Sequence, residues 1–531
     1  MTHLCRSMAL ILLVLLSSWS VEAQTPSGSP TPLESRLTVF ISDLHFGVGK
    51  DPSTGKWRNE EDFRWEKEFV LFLDKINAMG KGATDLVING DAFELWQSLE
   101  NDCRYDDKNL GCTESKADDR LKNVIKNHDT ELKALGEFAS ADNNHVILVP
   151  GNHDAALTFP AVARTALGAI PATPGRVTIP PEGYWRSHDG LVYAEHGHQI
   201  GKEVNRFENW PHPFAEQAGE KHLQRPWGEQ FVQKFYNQWE GKYPIIDNMA
   251  TELDGLKAGL HAENAWGIAK GSAQFVKFFL FQESWAQFDQ ILGPQPEGSL
   301  PACEGGKPPC WNYQKIRKEQ GDRFLVESLP QGDPYRAVAD EALQEGNLGL
   351  SLRDLSNEEI KVLCDKRALL KKAGQTITEC PIEGTLGALK ENLLREQNAV
   401  YKEHLEKTDR ALQQTGKPEH SFDVFVYSHT HRARPAFYPM EDGWKPRMIN
   451  TGAWQRVVDP SQLQAIKAAR GITDDKVLLA LKPEDLPPCY SVIMIMPYKK
   501  RSELNAQLLF WHQNAKGKWE FAPSCNWKPG K

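Results

Sequence analysis

Five short apolar runs rich in Val, Ile and Leu are spread along the chain, and each one ends at a group of polar residues. The runs occupy residues 37–41, 85–88, 145–149, 191–194 and 423–427. Continuous apolar runs of this length are typical of strands that are buried on both faces in a parallel sheet. We therefore predict an α/β fold. Further runs at 490–497 and 506–511 predict antiparallel strands that complete it.

Polar side chains that can bind metal ions follow each of the five runs. Ligand sites in open α/β sheets form beyond the carboxyl ends of the strands, so these residues are expected to meet in space. Carboxylate, imidazole and amide groups without any Cys suit divalent first-row metals. The pattern therefore predicts a hydrolase that uses two metal ions. The candidate residues are Asp43, His45, Asp91, Asn152, His153, His196, His429 and His431.

In this order, the five segments resemble the signature blocks of the calcineurin-like metallophosphoesterase superfamily. Those blocks are Asp-x-His, Gly-Asp, Gly-Asn-His-(Asp/Glu), a single His and Gly-His-x-His, and the resemblance covers about residues 37–200 and 420–515. It implies a β-sandwich flanked by helices and the hydrolysis of a phosphomonoester or phosphodiester by a metal-activated hydroxide. One departure is Ser428, which stands where the family usually has Gly.

The resemblance also implies a role for each candidate residue. His153 would lie outside the metal shell, bind phosphate and protonate the leaving oxygen. The implied ligands are Asp43, His45 and His431 for the first metal and Asn152, His196 and His429 for the second, with Asp91 bridging both.

Physical chemistry explains these residue types independently of the family. The two oxygens of the Asp91 carboxylate can point at different ions, which fixes the distance between them. The Asn152 amide ligates without adding charge, so the site stays positive enough to attract a phosphate ester. An imidazole such as His153 donates a proton close to neutral pH. Manganese, iron, cobalt, nickel and zinc all accept this ligand set.

Nearby residues leave alternatives open. Glu94 and Trp96 resemble the equivalent stretch of the UDP-2,3-diacylglucosamine hydrolase branch of the superfamily, as does the segment 450–454. That branch typically has Arg in place of His153 and acts inside the cell, so its substrate is not carried over. His198 shares the strand face of His196, either as a ligand or, more simply, as a hydrogen-bonding residue.

The N-terminus predicts export. Residues 1–23 have the charged start, short apolar stretch and small-residue end of a cleaved signal peptide, and residues 24–35 read as a flexible leader. Of nine cysteines, Cys5 lies in this signal. The other eight predict disulfides in a periplasmic or extracellular protein, and pairing between neighbours is expected. Those pairs are Cys103/Cys112, Cys303/Cys310, Cys364/Cys380 and Cys489/Cys525.

The domain organisation follows from where the motifs stop. Residues 36–200 and 421–531 form two parts of one core, and residues 201–420 are a predicted helical insertion that acts as a lid. An aromatic-rich helix at 269–288 suits an apolar part of the substrate or a membrane surface. Burial within the insertion's own core is the simpler interpretation.

Charge narrows the classes of partner. The formal net charge is −9, and no basic cluster is present, which argues against a nucleic-acid partner. A small anionic substrate remains compatible, because bound metals dominate the local charge. The competing function is a non-catalytic binding protein on the same fold, as occurs when metal ligands are lost. Every ligand position is filled in this chain. The sequence carries no signal for oligomeric state.

Overall fold

The computed structural model describes most of the chain outside a long central segment. The predicted signal peptide, the leader and the aromatic-rich helix lie outside the described residues. The described residues are 36–97, 103, 109–200, 205–226, 228–229, 232–233, 237–249, 401–413, 420–431, 433–437, 440, 442–473, 476–514, 516–525 and 527.

Strands and helices alternate through the first half of the described chain, whereas strands dominate its C-terminal part. The strands are β1 (Leu37–Ile41), β2 (Thr84–Asn89), β3 (Leu110–Thr113), β4 (His145–Val149), β5 (Val177–Thr178), β6 (Tyr184–Arg186), β7 (Val192–Glu195), β8 (Phe214–Gln217), β9 (Glu220–Gln224), β10 (Val424–Tyr427), β11 (Arg434–Phe437), β12 (Arg447–Asn450), β13 (Cys489–Ile495), β14 (Ala506–Gln513) and β15 (Trp519–Ala522). The helices are α1 (Glu66–Gly80), α2 (Glu114–Asn127), α3 (Asp129–Ser140), α4 (Pro160–Ala169), α5 (Asn237–Glu240), α6 (Pro460–Arg470) and α7 (Val477–Ala480). Residues 401–412 are also helical.

Two mixed sheets contain all five predicted strands. The first has the order β15-β14-β13-β1-β2-β4-β5, and its strands β1, β2, β4 and β5 run parallel. The second has the order β11-β12-β10-β7-β6, with β7, β10 and β12 parallel. The strands β13 and β14 pair antiparallel, as their sequences predict. The predicted α/β class is confirmed.

The two sheets pack face to face, because alternate residues of each strand are apolar and buried. Val87 and Ile147 of the first sheet share one core with Val426 and Ile449 of the second. On the other face of the first sheet, the intervening strand residues pack in a larger core with apolar side chains of α1 to α4. The outer face of the second sheet packs against Leu405 in the 401–412 helix. Helices therefore flank a pair of stacked sheets.

A small third sheet joins β3 to the hairpin of β8 and β9, and it was not predicted from the sequence. The predicted insertion was expected to be mostly helical, but its described part begins with this hairpin. The strands FAEQ and EKHLQ lack a regular apolar alternation, so the usual strand signal is weak. The turn is formed by Ala218 and Gly219, which both have positive φ, at 52° and 82°. Positive φ at both positions is typical of tight hairpin turns.

Two of the four predicted disulfides fall on described residues, and both are present. Cys103 is bonded to Cys112, and Cys489 is bonded to Cys525. The other two predicted pairs lie outside the described residues. Disulfides persist in oxidising compartments, which agrees with an exported protein. Among the described helices, none is long and apolar enough to cross a membrane.

A buried histidine ties the loop after β1 to the helices. His128, between α2 and α3, lies with Nε2 3.3 Å from Glu61 Oε2 and Nδ1 3.5 Å from Glu131 Oε1. Its ring stacks on Phe46, which follows the predicted ligand loop. Burial opposes a charged ring, but the two carboxylates outweigh burial and raise the pKa of His128 to about 9. The backbone N–H of Gly47 donates to Nε2 at 3.1 Å, which favours the neutral ring. This single hydrogen bond is weaker than the attraction of two carboxylates for a charged ring.

This arrangement predicts that stability falls as the solution becomes alkaline. The folded pKa of about 9 lies above the ordinary histidine value of 6.5, so the imidazolium stabilises the fold fully below pH 6.5. That contribution, on the order of 3 kcal/mol, is lost as the pH rises through 9. Thermal unfolding of the wild type and of His128→Gln between pH 6 and 9.5 should show the wild-type advantage shrinking. A constant difference across this range would mean that the ring is neutral.

Candidate metal centre

Loops from both sheets converge at the carboxyl ends of the five predicted strands. Within the first sheet, the Asp43 amide donates to the Gly90 carbonyl at 3.1 Å, and the His45 amide donates to the Asp91 carbonyl at 3.0 Å. Across the second sheet, the Ser428 amide donates to the His196 carbonyl at 2.7 Å. These bonds hold the loops together before any side chain is considered. Residues that are hundreds of positions apart in sequence therefore share one site.

Most of the proposed ligands have an unusual backbone conformation. Non-glycine residues rarely adopt positive φ, and those that do cluster at functional sites because the surrounding structure must hold them there. Five of the seven predicted ligands adopt it. They are Asp43 (51°), His45 (49°), Asp91 (53°), His429 (69°) and His431 (54°).

The first predicted ligand set is assembled as expected. Ligand atoms of Asp43, His45 and His431 lie within 4.8 Å of one another. His431 Nε2 is 3.2 Å from Asp43 Oδ1. Within the part of the chain that the structure describes, Asp43 Oδ2 and His45 Nε2 are buried without a hydrogen-bond partner. Buried polar atoms normally have partners, so these orphaned ligand atoms fit a bound cation.

The second predicted set surrounds His196. Ligand atoms of Asp91, His196 and His429 also lie within 4.8 Å of one another. His196 Nε2 is 2.8 Å from Asp91 Oδ2 and 2.9 Å from Asn152 Oδ1. His196 Nδ1 faces the backbone carbonyl of Asn89 at 3.0 Å. A proton held on Nδ1 by that carbonyl leaves Nε2 free to ligate a metal.

Electrostatics put several of these groups in the protonation state that binds metal. Burial would raise the pKa of Asp91, but His196 and His153 outweigh it and hold that pKa well below its usual range. Burial and the neighbouring His196 lower the pKa of His429 to about 3, so its ring is neutral. Burial opposes charge on His196, yet Asp91 raises its pKa to about 9. A metal at this site would displace the His196 proton.

Glu94 organises the two histidines beside the first set. Its Oε2 lies 2.8 Å from His45 Nδ1 and 2.5 Å from His153 Nδ1, while Oε1 accepts the backbone N–H groups of Trp96 and Gln97. Burial would raise the pKa of Glu94, but these histidines lower it further than burial raises it. Glu94, His45 and His153 also lie close enough to form a ligand group. Because hydrogen bonds already occupy the carboxylate, we interpret Glu94 as a residue that orients both rings.

Trp96 covers the other side of His153. The two rings stack with centroids 4.0 Å apart, and the His153 side chain is 11% exposed. The backbone N–H of His153 donates to Asp91 Oδ1 at 2.9 Å. His153 therefore stands next to the metal groups with its Nδ1 fixed by Glu94.

Two glycines leave no room for a side chain. A Cβ at Gly90 would lie 2.1 Å from His196 Nδ1, and one at Gly151 would lie 2.2 Å from Asp91 Oδ1. Only glycine therefore allows the loops to approach so closely at these two positions. Asp154 was missed by the sequence analysis, although it is the last residue of the Gly-Asn-His-Asp block. It accepts the backbone N–H groups of Gly151 and Ala92, at 2.6 and 2.8 Å, and so joins the β2 and β4 loops.

His198 belongs to none of the metal-competent groups found among the described residues. Its ring packs edge-on against Trp210, with centroids 4.3 Å apart, and against Phe207. Burial and the nearby His196 hold the pKa of His198 well below its usual range, so the ring is neutral. The structure therefore gives this histidine a packing role beside the centre.

Neither a scan of protein-family models nor a search of curated proteins found a match to this chain. The interpretation of the site consequently depends on its own geometry and chemistry.

The shared position of Asp91 predicts how metal binding fails. Asp91→Ala removes an anion that neighbours His196 and supports the His153 backbone, so metal affinity should fall by more than the roughly 100-fold typical of outer-shell changes. Equilibrium dialysis with Mn²⁺ followed by elemental analysis would measure this. Asp119→Ala, at a 71% exposed side chain on α2, is the matched control and should bind as the wild type does. Equal binding by both variants would exclude Asp91 from the centre.

Proposed function

We propose that this chain is an exported phosphoesterase that uses two divalent metal ions to hydrolyse a phosphomonoester or phosphodiester. The observation that carries the proposal is the meeting of two ligand sets from two sheets, with a histidine held beside them by a buried carboxylate. The stacked sheets flanked by helices, the order of the motifs and the disulfides support it. The resemblance to the calcineurin-like superfamily rests on the same residues.

The two ligand sets divide naturally between two ions. Asp43, His45 and His431 would hold the first, while Asn152, His196 and His429 would hold the second, with Asp91 between them. Two divalent ions at such a site activate a water molecule and stabilise the charge of the phosphoryl group during displacement. The set suits manganese, iron, cobalt, nickel or zinc.

His153 is the residue of this chain that would move a proton. Its Nδ1 is hydrogen-bonded to Glu94, so Nε2 is the ring nitrogen that would transfer the proton. The Glu94 carboxylate favours the protonated ring, which can bind a phosphoryl oxygen and give its proton to the leaving alkoxide. Stacking against Trp96 limits the rotation of the ring. A fixed donor adds more to catalysis than a mobile one, because its orientation costs nothing at the moment of reaction.

A small pocket lies beside this histidine. Its lining is mostly apolar and includes Leu95, Phe207 and Leu223, together with the polar and charged residues Asn152, His153, Arg120 and Glu229. We therefore propose that the substrate carries an apolar portion next to the scissile phosphate.

The competing function, a non-catalytic binding protein, would leave the centre without turnover. Incubation of the Mn²⁺-loaded protein with p-nitrophenyl phosphate and with its bis-ester separates the two functions and also distinguishes a monoesterase from a diesterase. Two bound metals without hydrolysis of either ester would favour the binding protein.

Loss of the proposed acid should depend on the leaving group. His153→Ala should keep both metals but slow the hydrolysis of an alkyl phosphate ester by roughly 10²- to 10⁴-fold. The loss should be smaller for p-nitrophenyl esters, because p-nitrophenolate departs without a proton. Steady-state kinetics with the two ester types, together with metal analysis, measure this.

Glu94→Gln provides a graded comparison, since it keeps the shape of the side chain but removes the charge that favours protonated His153. It should reduce alkyl ester hydrolysis less than His153→Ala does. Equal losses on both ester types for His153→Ala, or an empty metal centre, would contradict the acid role and leave a phosphate-binding or ligand role.

A further inference from the structure

A connected set of buried polar side chains lies directly beneath the ligand loops. We call it the polar network. Each member is at most 1% exposed, although none is an implied metal ligand and none has a role in the proposed chemistry. The members are Ser42, Asn89, Ser428, Asn450 and Thr451.

The bonds of the network cross from one sheet to the other. Asn89 Nδ2 donates to Ser428 Oγ at 2.8 Å and to the Glu195 carbonyl at 2.7 Å. Thr451 Oγ1 donates to the same Ser428 oxygen at 2.8 Å and lies 2.6 Å from Ser42 Oγ. A continuous path therefore runs from β2 through the β10 loop to the residue that follows β12 and back to the β1 loop.

Three further bonds extend the network to the last ligand loop and to the segment after β12. Asn450 Nδ2 donates to the Ser428 carbonyl at 2.9 Å and to Thr430 Oγ1 at 3.0 Å. Thr430 lies between the two ligand histidines of that loop. Ser42 Oγ donates to the Gly452 carbonyl at 2.7 Å.

The position of the network along the chain is more informative than its bonds alone. Ser42 immediately precedes Asp43, and Ser428 immediately precedes His429. Asn89 lies two residues before Asp91, and its backbone carbonyl faces His196 Nδ1 at 3.0 Å. The path therefore reaches the backbone beside a ligand in four of the five ligand loops. It skips only the loop that carries Asn152 and His153.

We infer that this polar network is a positioning device that couples the two metal sites by fixing the four loops relative to one another. A hydroxyl at position 428 gives Asn89 and Thr451 a common acceptor, which a glycine in that place would not provide. Hydrogen bonds between buried side chains are directional and so favour one arrangement of the loops, whereas apolar replacements leave the loops free to shift. The inference rests on the proposed two-metal site, but it concerns residues that touch neither substrate nor metal.

The test uses replacements of nearly equal shape. Thr451→Val removes the hydroxyl in the middle of the path, and Thr451→Ser restores it. Thr84→Val is the matched control, because Thr84 is equally buried in β2 but lies at the opposite end of that strand, where its hydroxyl donates to the Ile76 carbonyl at 3.2 Å. Mn²⁺ dissociation constants from calorimetric titration and unfolding temperatures in EDTA are measured for all four proteins.

We expect Thr451→Val to weaken Mn²⁺ binding at both sites by about 10- to 100-fold, the range for groups that orient ligands. Thr451→Ser should bind as the wild type does. Thr84→Val should have a lower unfolding temperature than the wild type but the same Mn²⁺ affinity. This contrast separates positioning from a general loss of stability.

Each other outcome has a definite meaning. Unchanged Mn²⁺ constants in Thr451→Val, with two metals bound by an active wild type, would overturn the polar network as a positioning device and leave the proposed function intact. Equal losses of Mn²⁺ affinity in Thr451→Val and Thr84→Val would also overturn it. If Thr451→Val weakens Mn²⁺ binding at both sites but the wild type hydrolyses no ester, the result would support the polar network and contradict the proposed phosphoesterase activity. A wild type that binds no Mn²⁺ would overturn both.

Discussion

The contact between Asp91 and His196 is the one on which the rest of the site depends. Asp91 leaves the first sheet and His196 leaves the second, and their side chains meet at 2.8 Å with both groups almost fully buried. A buried carboxylate is costly unless compensating charges surround it. The histidines supply that compensation. Close packing around this pair also explains why Gly90 and Gly151 cannot carry a side chain.

Much of this arrangement could be predicted because, in both sheets, the buried parallel strands are continuous apolar runs. Continuous apolar runs produced strands within about one residue of the predicted ends, for example at 37–41 and 145–149. Parallel neighbours then brought their carboxyl ends, and with them the metal-binding residues, to a common edge. Binding chemistry is concentrated in a few residue types, so a short pattern such as Asp43-x-His45 is enough to indicate it.

What could not be predicted depends on contacts without a periodic signal. The hairpin of β8 and β9 is rich in Glu, Gln and Lys, and its strand pairing with β3 is fixed by tertiary contacts and by the Ala218–Gly219 turn. The carboxylate of Glu94 was noted only as a resemblance, because nothing local shows that one oxygen faces both His45 and His153. The role of Asp154 could not be predicted from the sequence either, because its carboxylate accepts hydrogen bonds from backbone groups of two separate loops.

The backbone of the ligand loops suggests why such a dense polar support lies beneath them. Left-handed conformations at non-glycine residues cost on the order of 1 kcal/mol or more each, and five ligand residues adopt them. Local sequence preference therefore works against these loops, and packing and hydrogen bonds must hold them. Buried hydrogen bonds are directional, so they select one loop geometry where apolar contacts would accept several. A site whose ligands come from five separate loops needs that selection most, because an error in any one loop would displace the shared carboxylate of Asp91.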